Sequence, residues 1–431
     1  MLPPRPGAAR PRRASKQRLL AVLAALATAA FAAPLAAQPG IPLTLAEAQR
    51  LAQERSPQLA SQKSMAEASR EMAAAAGQLP DPQVFAGIEN VPVSGMDKWS
   101  LRDGMTMTRI GFMQEFPREE KRRLRSERAL REAERAEVVA EGDALAVRRE
   151  TATAWLNAAF AQRVERAIAA QIAEVELQAT MAGASYRAGR GAQNDVLAAQ
   201  QALIELRNRT VEAQLATRRA RLALARYVGD AAERPLEGMP ELGALPQNVD
   251  ALVQVDAQPD VRRLDAQAAV LDTEAQLARA MRKPDWSLEL SYGIRANDNP
   301  DMVSLMVRME LPWSPGSRQD REWAAKLKER DATTAMREDA RRMREAEVRQ
   351  MLAEWNAMRE QAQRLRDELI PLSRARTDAA LASYRGGMGP LAMVLEARRG
   401  ELEADVMLIN MELAAARAWA WLANLVPGSA P

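Results

Sequence analysis

The side chains able to do chemistry in this chain are defined first by two absences. Its 431 residues include no His and no Cys. That removes Cys nucleophiles, His general bases, Ser-His-Asp triads, disulfides and His/Cys metal sites together. Carboxylates, Lys and Tyr remain for acid–base work. Soft-metal chemistry has one candidate: Met96, Met105, Met107 and Met113 crowd a single segment, and thioethers suit Cu(I) or Ag(I). Methionine also fills apolar surfaces, and packing is the plainer role. We therefore assign no catalytic residue, no cofactor and no metal site.

The polar residues that do stand out occur twice. ASYRAGRGAQNDVLAAQ spans 184–200 and ASYRGGMGPLAMVLEAR spans 382–398, with nine of 17 positions identical at an offset of 198. Each copy carries Tyr-Arg-x-Gly-x-Gly: Tyr186, Arg187, Gly189 and Gly191, then Tyr384, Arg385, Gly387 and Gly389. Glycine tolerates positive φ and suits a turn between helices. Asp195 lies near the restart of the next helix, where a carboxylate is favoured, and Pro390 fits a first helical turn.

The elements that hold these turns are long. From about 118 to 182, Ala129, Ala133, Ala136, Ala140, Ala144, Val147, Thr151, Ala154 and Ala158 step by three or four. A period near 3.5 marks a coiled-coil seam. A second such helix spans about 318–383, with a possible bend at Pro371. Return helices follow at about 192–228 and 390–425. Each Tyr-Arg turn is thus the tip of a long helical hairpin.

Two pairs of strand-like segments precede the long helices, at about 83–89 with 105–116 and 286–294 with 302–311. Val303, Leu305, Val307, Met309 and Leu311 alternate with Ser304, Met306, Arg308 and Glu310. Strands of about 9–11 residues can cross an outer membrane, and Phe116, Trp286 and Trp313 fall where an interfacial girdle would lie. A soluble hairpin packed on the helices has the same pattern. Shorter helices at about 44–79 and 248–281 open each half, with Pro57 and Pro259 at matching places. The whole is one module twice, 38–247 and 248–431, joined by a Gly/Pro-rich stretch.

Residues 1–37 read as a cleaved secretory leader: six basic residues precede an Ala/Leu-rich run. A transmembrane helix is the alternative, although Pro34 and the alanines suit it poorly. The leader has no Cys for lipid anchoring. Without it the charge is 54 basic against 57 acidic residues, so nothing favours nucleic acid. Four strands leave two open edges, which hydrocarbon does not tolerate. Several chains must then complete one barrel.

The tandem module, the opening LTLAEAQRLAQERSPQL (43–59) and both tips resemble the TolC-type outer membrane efflux proteins. GMDKWSLRDGMTMTRIGFMQEFPREEKR (95–122) is most similar to their heavy-metal branch, the CzcC/CusC type. The resemblance implies a mainly α fold with a small β part. It implies a homotrimer in outer membrane lipid, with a 12-stranded barrel and a helical periplasmic tunnel. It implies a periplasmic adaptor, an inner-membrane RND pump and a conduit that does no chemistry. The tips would dock the adaptor. Asp195, Tyr384 and Glu396 match gate positions, whereas Met393 stands where the family often has an acid. Arg187, Arg190 and Arg385 are candidate partners for these acids. Heavy-metal cations are the leading cargo; organic toxicants or secreted protein are alternatives. Three other readings remain: a periplasmic coiled-coil scaffold without a pore, an adaptor, which would need one hairpin flanked by β domains, and a carboxylate-based hydrolase, which would need two acids brought together in a cleft.

Overall fold

The computed structural model describes residues 41–96, 98–245, 252, 254–295 and 298–425. The leader expected over 1–37 lies outside them, as does the start of the helix expected from 248. The architecture is mainly helical, with one small antiparallel sheet.

The first short helix is two: α1 (Leu45–Arg55) and α2 (Pro57–Ala76). Ser56 is extended (ψ 111°) because a following proline disfavours the α region. Its hydroxyl accepts from the Leu59 N–H at 3.4 Å and caps α2. After β1 (Gln83–Glu89) and β2 (Met107–Phe116) comes α3 (Glu119–Arg187), 69 residues or about 100 Å long. No proline interrupts it, and its seam alanines are buried or half-buried. Helix α4 (Gln193–Val228) returns along it.

The second half repeats the order. It has α5 (Pro259–Ala280), β3 (Trp286–Arg295), β4 (Met302–Met309), α6 (Gln319–Arg364), α7 (Ile370–Arg385) and α8 (Leu391–Ala423). Between α6 and α7 the helix does not break at Pro371. One π turn, Leu365–Leu369, widens it instead. Proline lacks an N–H and its ring crowds the carbonyl four residues back, and a π turn absorbs both.

The two hairpins join into one sheet. Strand order is β1-β2-β3-β4, and β2 pairs with β3 from Met107↔Arg295 to Phe116↔Trp286. This register carries apolar rows across every strand, such as Val84–Phe112–Leu290–Leu305. Strands β1 and β4 are the edges.

The core sits midway along α3, where the C-terminal ends of α4 and α8 pack against it. Trp155, Leu156, Phe160, Leu224, Trp419 and Leu422 are fully buried there. Trp155 Nε1 donates to the Leu43 carbonyl at 3.0 Å, which ties the first residues of the described chain to α3. At the sheet base, buried Lys121 donates to Asp285 Oδ2 at 2.7 Å, and the Arg118 N–H donates to Asp285 Oδ1 at 2.9 Å. Phe116 stacks on Trp286 beside this knot, centroids 4.3 Å apart.

Candidate functional site

The two tips are built bond for bond alike. In the first, Gly189 N–H donates to Tyr186 O at 2.9 Å and Arg190 N–H to Ser185 O at 3.0 Å. In the second, Gly387 N–H donates to Tyr384 O at 3.0 Å and Met388 N–H to Ser383 O at 3.0 Å. These are two Schellman closures, and each needs a left-handed residue: Gly189 has φ 72° and Gly387 φ 71°. Gly191 and Gly389 press against Ser185 and Ser383, the latter closely enough that a Cβ would lie 2.8 Å from Ser383 Oγ. Tyr186, Arg187 and Arg385 are exposed.

The tips share a floor. Ala182, Ala199, Leu391 and Val394, drawn from α3, α4 and α8, are buried together, and Tyr384 packs against them. Tyr384 is therefore half-buried where Tyr186 is exposed. Asp195 occupies the first turn of α4 and has no ion-pair partner among the described residues. Glu396 is exposed on α8 and accepts from Arg376 of α7 at 3.1 Å. The tip arginines named from sequence do not reach it.

A second tier of charge lies about two to four turns beyond the tip and was not legible from motifs. Arg398 pairs with Glu174 at 2.8 Å, joining the two hairpins. Arg399 pairs with Glu403 at 3.2 Å. Arg374 stands 3.8 Å from both Glu401 and Asp405. Burial, reinforced by Glu401 and opposed by Arg374, raises the Asp405 carboxyl above its usual range. A cavity of about 270 Å³ between α3, α4 and α8 is lined by Gln171, Gln201, Glu205, Glu396, Arg398 and Arg399, among others. The only sequence signal for this tier is the dense Arg/Glu spacing of 396–405.

The sheet has two unlike faces. Val84, Ile110, Phe112, Leu290, Val303 and Leu305 share the apolar one, and all are exposed. The other carries Glu89, Arg109, Glu289, Ser291 and Arg308. Arg109 donates to Glu89 at 2.9 Å, to Glu289 at 2.5 Å and to Ser291 at 2.7 Å. Arg308 reaches Glu289 at 2.8 Å. Met107 and Met113 lie on this polar face, while Met96 and Met105 are exposed in the loop between β1 and β2. The structure does not gather the four thioethers at one point. Among the described residues, no group of three or more acidic side chains is placed to hold a metal ion, and no helix is long and apolar enough to cross a membrane.

A family profile described as Outer membrane efflux protein matches residues 48–230 and 255–428. None of the curated proteins matches the chain. Among solved structures, CusC shares 14% identity over 89% of this chain and 92% of its own, with a TM-score of 0.75. The outer membrane protein VceC from Vibrio cholerae shares 17% identity over 88% and 95%, with a TM-score of 0.70. A membrane protein from Pseudomonas aeruginosa shares 17% identity over 88% and 93%, with a TM-score of 0.74. At these identities the likeness is one of fold.

Proposed function

The chain belongs to the outer membrane efflux protein family, and from that premise we propose that it is the outer membrane channel of a tripartite efflux system. It works as a homotrimer, exported by a cleaved leader, with a periplasmic adaptor and an inner-membrane RND pump as partners. The observation that carries this reading is the sheet. It has an exposed apolar face, a charged opposite face and two unpaired edges, and it sits at one end of helices about 100 Å long. Such a sheet is suited to hydrocarbon only when copies close it into a barrel. The helices then continue the bore on one side.

In this reading the two tips of each chain present near-equivalent adaptor contacts around the entrance. Asp195, Tyr384 and Glu396 narrow the entrance between them. The Arg376–Glu396 pair restrains α8 against α7 there. The cargo we assign is heavy-metal cations, supported by the similarity of residues 95–122 to the heavy-metal branch. The protein itself is a passive conduit.

The test is single-channel recording from purified protein in planar bilayers across a pH series. Discrete conductance that responds to carboxylate titration, and rises in Glu396→Ala, is the expected result. Protein that stays soluble without detergent and never inserts would sink the channel and favour a periplasmic scaffold. Cargo is read separately, from metal accumulation in cells with and without the chain.

A further inference from the structure

Midway along α3 a groove of about 660 Å³ opens between α3, α4, α6 and α8 of one chain. Arg149, Thr153 and Asn157 line it from α3, about one turn apart, and Arg417 and Trp421 line it from α8 in the same way. Trp155 and Trp419 lie two residues from these positions and so point about 200° away. They donate instead to the Leu43 carbonyl at 3.0 Å and the Ala244 carbonyl at 2.8 Å, on the covered side of the helical layer. The groove therefore occupies the other side, and it is complete within one chain.

Its charges are unbalanced. Arg149, Arg226 and Arg417 open on it, and none has a carboxylate partner among the described residues. Arg417 donates to the Asn157 amide oxygen at 2.8 Å. Arg226 lies 5.5 Å from the centre of the Tyr227 ring. Arg149 faces a further cation: burial holds the Arg344 guanidinium below its ordinary value, Glu347 opposes this, and Arg149 adds to it. The two acids of the groove are engaged by neutral groups. Glu150 accepts from the Tyr227 hydroxyl at 3.0 Å and Glu354 from the Gln350 amide at 2.9 Å. The cavity near the tips differs, because Arg209, Arg398 and Arg399 each have an acid within 3.4 Å there. We infer that the groove on α3 binds an aromatic carboxylate, its oxyanion on the unpaired guanidiniums and its ring on the apolar wall of Trp421 and Met351. Guanidinium forks match a carboxylate in shape and charge and also stack on aromatic faces. The groove's volume falls in the range of small-molecule sites, which are mostly apolar with a few fixed polar groups.

The experiment measures naphthoate binding by equilibrium dialysis against the full-length chain in detergent, beside the variant Arg149→Gln/Arg226→Gln/Arg417→Gln in the same detergent. Naphthoate that merely enters micelles does so equally in both. The expected result is saturable uptake by the unaltered chain, weakened at least roughly tenfold in the variant, since hydrogen bonds to charged groups are the strong ones. Equal uptake by the two chains would overturn the inference. Naphthylmethylamine bound as tightly as naphthoate would overturn it too, because the site would then not select an anion. Inorganic phosphate that displaces naphthoate at equal concentration would show a bare anion site and overturn the aromatic assignment. If the triple variant does not fold, Arg226→Gln/Arg417→Gln, altered only at exposed positions, replaces it. The same loss is expected there, and unchanged affinity refutes the site. Binding is read on the folded chain in detergent, so it stands or falls separately from channel conductance.

Discussion

Removing the Asp285 carboxylate should loosen the junction between sheet and helices far more than its partly exposed position suggests. Asp285 accepts from buried Lys121 Nζ at 2.7 Å and from the Arg118 N–H at 2.9 Å. The side chains of Lys121 and Asp285 are 3% and 21% exposed. Asp285→Ala leaves the Lys121 ammonium with one remaining acceptor among the described residues, the Lys283 carbonyl at 2.6 Å, and unties the first turn of α3. Stripping one partner from a buried pair costs about 3–5 kcal/mol, and partial exposure of Asp285 argues for about 3. Since about 1.4 kcal/mol is tenfold, local opening should rise roughly 100-fold. Hydrogen exchange at the amides of residues 121–124 reads this directly, because they report opening of that turn. Lys121→Met combined with Asp285→Ala should recover most of the loss, since an apolar pair of similar volume leaves no stranded charge. Exchange that accelerates less than about threefold, or a double variant no better than the single one, would refute the buried-pair argument.

Three further outcomes follow from the same geometry. Gly387→Val forces a branched side chain into left-handed backbone, at a cost of about 1–2 kcal/mol; thermal melts should shift little while adaptor affinity falls, and unchanged affinity would remove the tip from the docking surface. Trp155→Phe keeps most of the packing but strands the Leu43 carbonyl, so chemical denaturation should show a loss of about 1–3 kcal/mol. Asp405 is held above its usual titration range by burial, so its ionised form opposes folding. Stability should rise as pH falls through its folded-state value towards 3.8, and Asp405→Asn should stabilise the protein at neutral pH and flatten that dependence, as followed by melting temperature against pH.

What the sequence by itself determined is whatever repeats locally. The 3.5-residue alanine seam marks α3, since its buried stripe recurs every turn. The glycines of both tips announce the turns, because only glycine holds the left-handed backbone that ends α3 and α7. Alternation marks the apolar and polar faces of β3 and β4. Ser56-Pro57 also carried a local signal, and the split of the first helix into α1 and α2 is a proline effect that reading the segment as one helix overlooked. Other features were decided by tertiary structure alone. The pairing of β2 with β3 joins residues about 180 apart, and nothing in either strand names its neighbour. The partner of Glu396 is Arg376 because α7 and α8 lie side by side, whereas the arginines closer in the motif point elsewhere. The run of ion pairs from Glu89 to Arg308 exists only once four strands share a register. Charges carry no period of their own along the chain, so their partners appear only when the backbone has brought distant segments within a few ångströms.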